Sequence, residues 1–140
     1  MDYFPAFHDL HGRAVLVVGG GEVAARKVNL LRQAGAQVEV LAPALCAELV
    51  RLAGQGAIMH RAQAYISRDL TAYSLIIAAT DAAAVNARVA ADAQAVNRPV
   101  NVVDAPELCS FIMPAIVDRS PVQIAISTGG AAPVLARNLR

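Results

Sequence analysis

The residues most suggestive of chemistry are Gly19-Gly20-Gly21-Glu22-Val23-Ala24, which fit the spacing G-x-G-x-x-[GA]. They follow the apolar run Ala14-Val-Leu-Val-Val18 and open an Ala-rich stretch. Each small residue has a mechanical role in such a turn. Gly19 permits the tight bend, Gly21 lets the backbone approach a pyrophosphate, and Ala24 lets the helix pack closely on the strand. The start of that helix presents free N–H groups and the positive end of its dipole to phosphate oxygens. A bare glycine motif is a weak signal, but strand, turn and helix together make it a dinucleotide-binding signature. The rival reading is a turn that only packs.

Ligands in open α/β sheets bind beyond the carboxyl ends of the strands. Here those ends carry Ala42-Pro43, Thr80-Asp81 and Asp104-Ala105-Pro106. Asp104 would place a carboxylate on the nicotinamide side of such a site; its structural alternative is a turn aspartate before Pro106. Thr80 is a candidate cofactor contact. Asp81 immediately precedes a helical stretch and reads first as an N-cap. The acid that usually holds the ribose hydroxyls, about 20 residues beyond the glycine turn, is missing from Leu41-Ala42-Pro43. Glu39 stands at roughly the right distance but inside the strand. No basic residue occupies that edge to meet a 2′-phosphate, which favours NAD over NADP.

The elements that must position these residues alternate regularly. Strands are expected at Ala14–Val18, Gln37–Leu41, Ala57–His60, Ser74–Ala79 and Pro99–Val103, with helices at Glu22–Ala34 and Ala82–Val96. Gly35 suits a helix C-terminus, and Pro43 suits the first turn of a further helix. This rhythm predicts an α/β fold: a Rossmann-like open parallel sheet with helices on both faces. After residue 103 the rhythm changes. Phe111–Pro114 and Val122–Ile126 read as strands with no long helix between them, and Ala131–Arg140 as a helix that runs to the last residue. The expected division is 1–113 for the dinucleotide-binding domain and 114–140 for the beginning of a second, small α+β region. That second region reads as incomplete, the start of something longer.

Composition sets bounds on function. The chain has 140 residues, 56% hydrophobic and only 16% charged, with no Trp. Such a chain buries an aliphatic core and is not a disordered tail. A net charge of +1 argues against an electrostatic nucleic-acid binder. No apolar run approaches the roughly 20 residues of a membrane helix, and the N-terminus lacks a secretory signal. Cys46 and Cys109 have no metal-type spacing and read as reduced thiols, so a cytoplasmic location is expected. His8, His11 and His60 are scattered, and no fixed metal site is expected.

Five segments carry a family resemblance: Gly19-Gly-Gly-Glu-Val-Ala-Ala-Arg-Lys27, Ala78-Ala-Thr-Asp81, Asn101-Val-Val-Asp-Ala-Pro106, Ser110-Phe-Ile-Met-Pro114 and Ser127-Thr-Gly-Gly130. In that order, and over essentially the whole chain, they resemble the N-terminal module of siroheme synthases. The resemblance implies NAD-dependent dehydrogenation of precorrin-2 to sirohydrochlorin, then insertion of ferrous iron as a substrate, in a homodimer whose dimerisation and substrate region begins in 114–140. It puts the catalytic aspartate on Asp104 and cofactor contacts on Glu22, Val23, Pro43 and Ala44, beside Gly19, Gly20, Gly21 and Thr80. The implied substrate is a polycarboxylate, so cations and N–H donors should line its site. Arg119, and the loop Ser127-Thr-Gly-Gly-Ala-Ala-Pro133 as an anion-binding nest with Ser127, Thr128 and Gly129 as its substrate contacts, are the candidates, with Arg137 a further salt partner. Relatives often have two serines where this chain has Ser127 and Thr128. Arg26 and Lys27 are expected at the surface or in dimer contacts. Two other readings stay open: a Rossmann dehydrogenase of another small substrate, and a non-catalytic NAD-sensing module.

Overall fold

A computed structural model describes all residues, Met1–Arg140. The chain divides into two compact units: His8–Ser110, and Met1–Phe7 together with Phe111–Arg140. That the first seven residues group with the last thirty was not foreseeable from their composition.

The larger unit holds a five-stranded sheet. Its strands are β1 (Ala14–Val18), β2 (Gln37–Leu41), β3 (Met59–Arg61), β4 (Leu75–Ala78) and β5 (Val100–Val102). Their spatial order is β3-β2-β1-β4-β5 and every pairing is parallel. The order reverses between β1 and β4, which creates a crevice at their carboxyl ends. Helices α1 (Glu22–Gln33), α2 (Ala47–Gly54) and α3 (Ala83–Ala95) make three of the crossovers, and an irregular segment joins β3 to β4.

Burial follows the pleat. Leu16, Val18, Leu41, Ile76, Ala78, Val100 and Val102 share a cluster with Val89, Ala90 and Ala93 of α3. The alternate residues Val15, Val17, Val38, Val40 and Ile77 are buried too, on the other face, as are Ala24, Ala25, Val28 and Leu31 of α1. A sheet covered on both faces explains why its strands read as continuous apolar runs. Helix α1 ends as expected: Gly35 takes φ +81, and its N–H bonds to the Arg32 carbonyl at 2.9 Å while Ala36 bonds to Leu31 at 3.1 Å.

Three expectations need correction. Pro43 does not begin a helix: α2 starts at Ala47, and residues 42–46 cross the strand ends instead. They are tied there by a 2.7 Å bond from the Cys46 N–H to the Gly20 carbonyl. Asp81 is not the N-cap of α3. Ala82 holds that position, and its N–H is met by the Thr80 hydroxyl at 3.2 Å. Phe111–Pro114 is not a strand. Ser110 doubles back to β5, donating its N–H to the Val100 carbonyl at 2.9 Å, and Pro114 has no N–H for a ladder.

The smaller unit contains an antiparallel hairpin, β6 (Ala115–Arg119) and β7 (Val122–Ile126), and a short helix α4 (Pro133–Asn138). Its register puts Ala115 opposite Ile126, Val117 opposite Ile124, and Arg119 opposite Val122, all on one face. That face is apolar apart from Arg119.

Candidate functional site

At the carboxyl ends of β1, β2 and β4 lies a cavity of about 690 Å³, within the range of small-molecule and cofactor sites. Gly19, Gly20, Gly21, Glu22, Val23, Pro43, Ala44 and Thr80 all line it. The structure therefore gathers every predicted cofactor contact around one opening. It adds Leu45, Cys46, Ala64, Tyr65, Asp81 and Val85, which sequence reasoning did not single out as contacts.

The glycines differ in what they make possible. Gly19 has φ +127, and a Cβ there would collide with the Ala79 carbonyl. A Cβ on Gly20 would collide with the Ala44 carbonyl. Both glycines let neighbouring backbone close in. Gly21 faces open space, with nothing within 4 Å of a Cβ position, so its contribution is room for a ligand. It is the N-cap of α1, and no side chain caps the helix. The first-turn N–H groups of α1 are left to whatever enters the cleft. The cradle fits a dinucleotide's pyrophosphate.

Glu39 does not serve this cleft. Its carboxylate accepts the Tyr73 hydroxyl at 2.9 Å and the Arg61 Nε at 2.5 Å. The β2 edge at Leu41-Ala42-Pro43 thus offers no acid for ribose. Its Ala42 carbonyl is bonded to His60 Nε2 at 2.9 Å.

Thr80 is held by a residue that sequence reasoning missed. Asn86, buried on α3, accepts the Thr80 hydroxyl at 2.6 Å and the Thr80 N–H at 3.2 Å, and donates to the Thr80 carbonyl at 3.0 Å. One buried amide therefore fixes the turn at the β4 end. The only prior signal was a polar residue on an otherwise apolar helix face.

Asp104 stands at the end of β5, the strand beside β4. It is exposed, takes the left-handed φ of +61, and does not itself line the cavity. Aspartate tolerates that conformation better than most residues. The turn is pinned from both sides. Val103 N–H bonds to the Ala78 carbonyl at 3.0 Å, and the Cys109 sulfur meets the Val102 N–H at 3.1 Å. Lys27 of α1 is half-buried rather than a plain surface residue. Burial and then Arg26 weaken its ammonium form, while the charges of Asp104 and Cys109 act the other way.

In the smaller unit, Ser127 accepts the Gly129 N–H at 3.1 Å and Thr128 accepts the Ala132 N–H at 2.9 Å. Ala131 N–H bonds to the Thr128 carbonyl at 3.2 Å. Three N–H groups of this loop, those of Gly129, Ala131 and Ala132, are thus engaged internally. Arg119 is exposed and donates to the Asp118 carbonyl at 3.1 Å. No group of three or more His, Cys, Asp and Glu side chains is placed to hold a metal ion. No helix is long and apolar enough to cross a membrane.

Comparison with known proteins gives consistent results. A family model described as "Putative NAD(P)-binding" matches residues 6–115, and one described as "Sirohaem biosynthesis protein central" matches residues 119–140. Siroheme synthases of Ectopseudomonas mendocina (strain ymp) and Pseudomonas putida (strain W619) are 58% and 56% identical over all of this chain. The chain spans 30% of the length of each. Among solved structures, SirC, a precorrin-2 dehydrogenase, superposes with a TM-score of 0.79 at 31% identity, over 98% of this chain and 67% of that one.

Proposed function

The chain belongs to the family of precorrin-2 dehydrogenases and siroheme synthase N-terminal modules, and from that membership we propose that it oxidises precorrin-2 to sirohydrochlorin with NAD⁺ and then inserts Fe²⁺ to give siroheme. The observation that carries this reading is an alignment along one sheet edge. A glycine cradle opens a cavity of cofactor size, and an exposed carboxylate follows on the strand beyond β4.

NAD⁺ in the cleft supplies a hydride acceptor. The backbone at Gly20 and Gly21 and the first-turn N–H groups of α1 hold its phosphates. Glu22, Val23, Pro43, Ala44 and Thr80 shape the walls on either side of the cradle. Asp104 is the proposed catalytic residue. As a general base it accepts the proton that leaves with dehydrogenation. Metal insertion displaces two pyrrole N–H protons, and the same carboxylate receives them in turn. Arg119 is the proposed partner of a substrate carboxylate, because it is an exposed guanidinium with only one local bond. Ser127, Thr128 and Gly129 are the weaker candidates, given their internal bonds.

A homodimer is proposed on the hairpin's chemistry. Two strands with one apolar face are marginal in isolation, and Val122 and Ile124 are 57% and 49% exposed. A second copy would cover them. Free Cys46 and Cys109 suit a reducing compartment, here proposed as the cytoplasm.

The test is anaerobic incubation with precorrin-2 and NAD⁺, following NADH and the sirohydrochlorin spectrum, with Fe²⁺ added afterwards. Asp104→Ala should lower both rates by roughly 100-fold or more while NAD⁺ affinity holds. Full turnover would remove Asp104 from the mechanism. Loss of one step alone would refute a shared base. NAD⁺ binding without turnover of precorrin-2 would favour another substrate or a sensor.

A further inference from the structure

The segment between β3 and β4 has no regular structure, yet one part of it is firmly held. Tyr65 donates its hydroxyl to Asp92 of α3 at 2.6 Å, and Ser67 donates to both oxygens of the same carboxylate at 2.7 Å. Two loop side chains thus converge on one acid. Tyr65 also packs against the core cluster on the α3 face, and it is the one aromatic side chain lining the cleft. Burial first and the bond to Asp92 second push its pKa up, so at neutral pH it is the donor in that bond.

We propose that Tyr65 is the adenine-contacting residue of the cofactor site, with Asp92 as its positioning residue. This rests on the dinucleotide reading of the cleft. In such a site the pyrophosphate lies at the glycine turn and the adenosine ribose at the β2 edge. The base lies beyond that edge, toward β3, the next strand outward. The chain leaving β3 supplies Ala64 and Tyr65 to the lining, and α3 supplies Val85. The β2 carboxylate does not anchor this half of the ligand, since Glu39 is committed to Tyr73 and Arg61. The apolar and aromatic faces of Ala64, Val85 and Tyr65 are there to hold it instead, and every base offers a face for stacking. A tyrosine on an irregular loop would lose rotamer freedom on binding. The bond to Asp92 removes that freedom beforehand.

Calorimetric titration of the wild-type protein and of Tyr65→Leu, Tyr65→Phe, Asp92→Ala and Tyr65→Phe/Asp92→Ala tests this, with NAD⁺, AMP and nicotinamide mononucleotide as ligands. Tyr65→Leu should weaken NAD⁺ and AMP about tenfold, the scale of base–aromatic stacking, and leave the mononucleotide unchanged. Tyr65→Phe keeps the ring and should lose only a few-fold, as should Asp92→Ala, with the double variant no worse than either. AMP affinity unchanged in Tyr65→Leu, or equal weakening of the mononucleotide, overturns the adenine contact. Fully additive effects in the double variant overturn the positioning role of Asp92, and because Tyr65→Phe retains the packing this arm stands even if Tyr65→Leu melts early. Failure of the wild-type protein to bind NAD⁺ and AMP at all would instead sink the dinucleotide reading beneath it.

Discussion

The sheet unit and the hairpin unit use the same kinds of residue to opposite effect. Both are rich in Val, Ile and Ala. In His8–Ser110 the apolar residues of β1, β2 and β4 are covered on both faces and almost wholly buried. In the hairpin, Ile116, Val122 and Ile124 remain substantially exposed, as do Val134, Leu135 and Leu139 of the α4 region. The first unit completes its core from its own helices. The second has two strands and a six-residue helix, too little to cover an apolar face. Hydrophobic composition alone therefore does not say whether a segment is buried or left exposed; the number of layers available to cover it does.

Three experiments break or sharpen this contrast. The largest effect belongs to the glycine turn, where the sheet unit is least tolerant. Gly19→Ala forces a side chain onto the Ala79 carbonyl at φ +127. It should lower stability by about 2 kcal/mol or more and abolish NAD⁺ binding, as denaturant unfolding and calorimetry would register. Near-normal binding would mean that the turn yields and that the cradle is not as tight as described.

Next comes a matched pair of isoleucines. Ile76→Ala in β4 should cost about 2–5 kcal/mol, the range for a buried large-to-small change. Ile124→Lys in β7 should cost the unfolding free energy of the sheet unit less than about 1 kcal/mol. If the proposed dimer forms through this face, the effect should show in sedimentation, as a shift toward monomer. Equal destabilisation by both changes would erase the distinction between a covered core and an uncovered face.

The smallest effect is a pH dependence. The raised pKa of Tyr65, due to burial and then to Asp92, stabilises the folded state fully below the phenol's ordinary value of 10.0. That contribution is lost as pH rises through the higher folded value. The stability gap between wild type and Tyr65→Phe should accordingly narrow above pH 10, as thermal melts at stepped pH would reveal. A gap independent of pH would mean that the Asp92 bond contributes nothing to folding.

Much of this was readable in the chain. The glycine spacing placed the cradle, and the alternation of apolar runs placed β1, β2, β4 and α1 within a residue or so of their observed bounds. Periodicity could not place β6, because the apolar tripeptide Phe111-Ile112-Met113 before Pro114 mimics a strand that Pro114 and the return of Ser110 to β5 forbid. Nor could it assign Glu39, whose partners Tyr73 and Arg61 are remote in sequence. Asp104 was legible as a carboxylate at a strand end, but its left-handed backbone and the half-buried Lys27 near it were not.

The amino-acid order by itself determined the elements, the cradle and the candidate carboxylate, because helix period, strand period and the steric freedom of glycine are local properties of neighbouring residues. Only the folded chain decided that Asn86 governs Thr80, that Asp92 holds Tyr65 at the cleft, and that the hairpin stays uncovered. Each of these depends on which segments the crossovers bring side by side. Hydrogen bonds and packing act over a few ångströms, and distance along the chain does not fix distance in space.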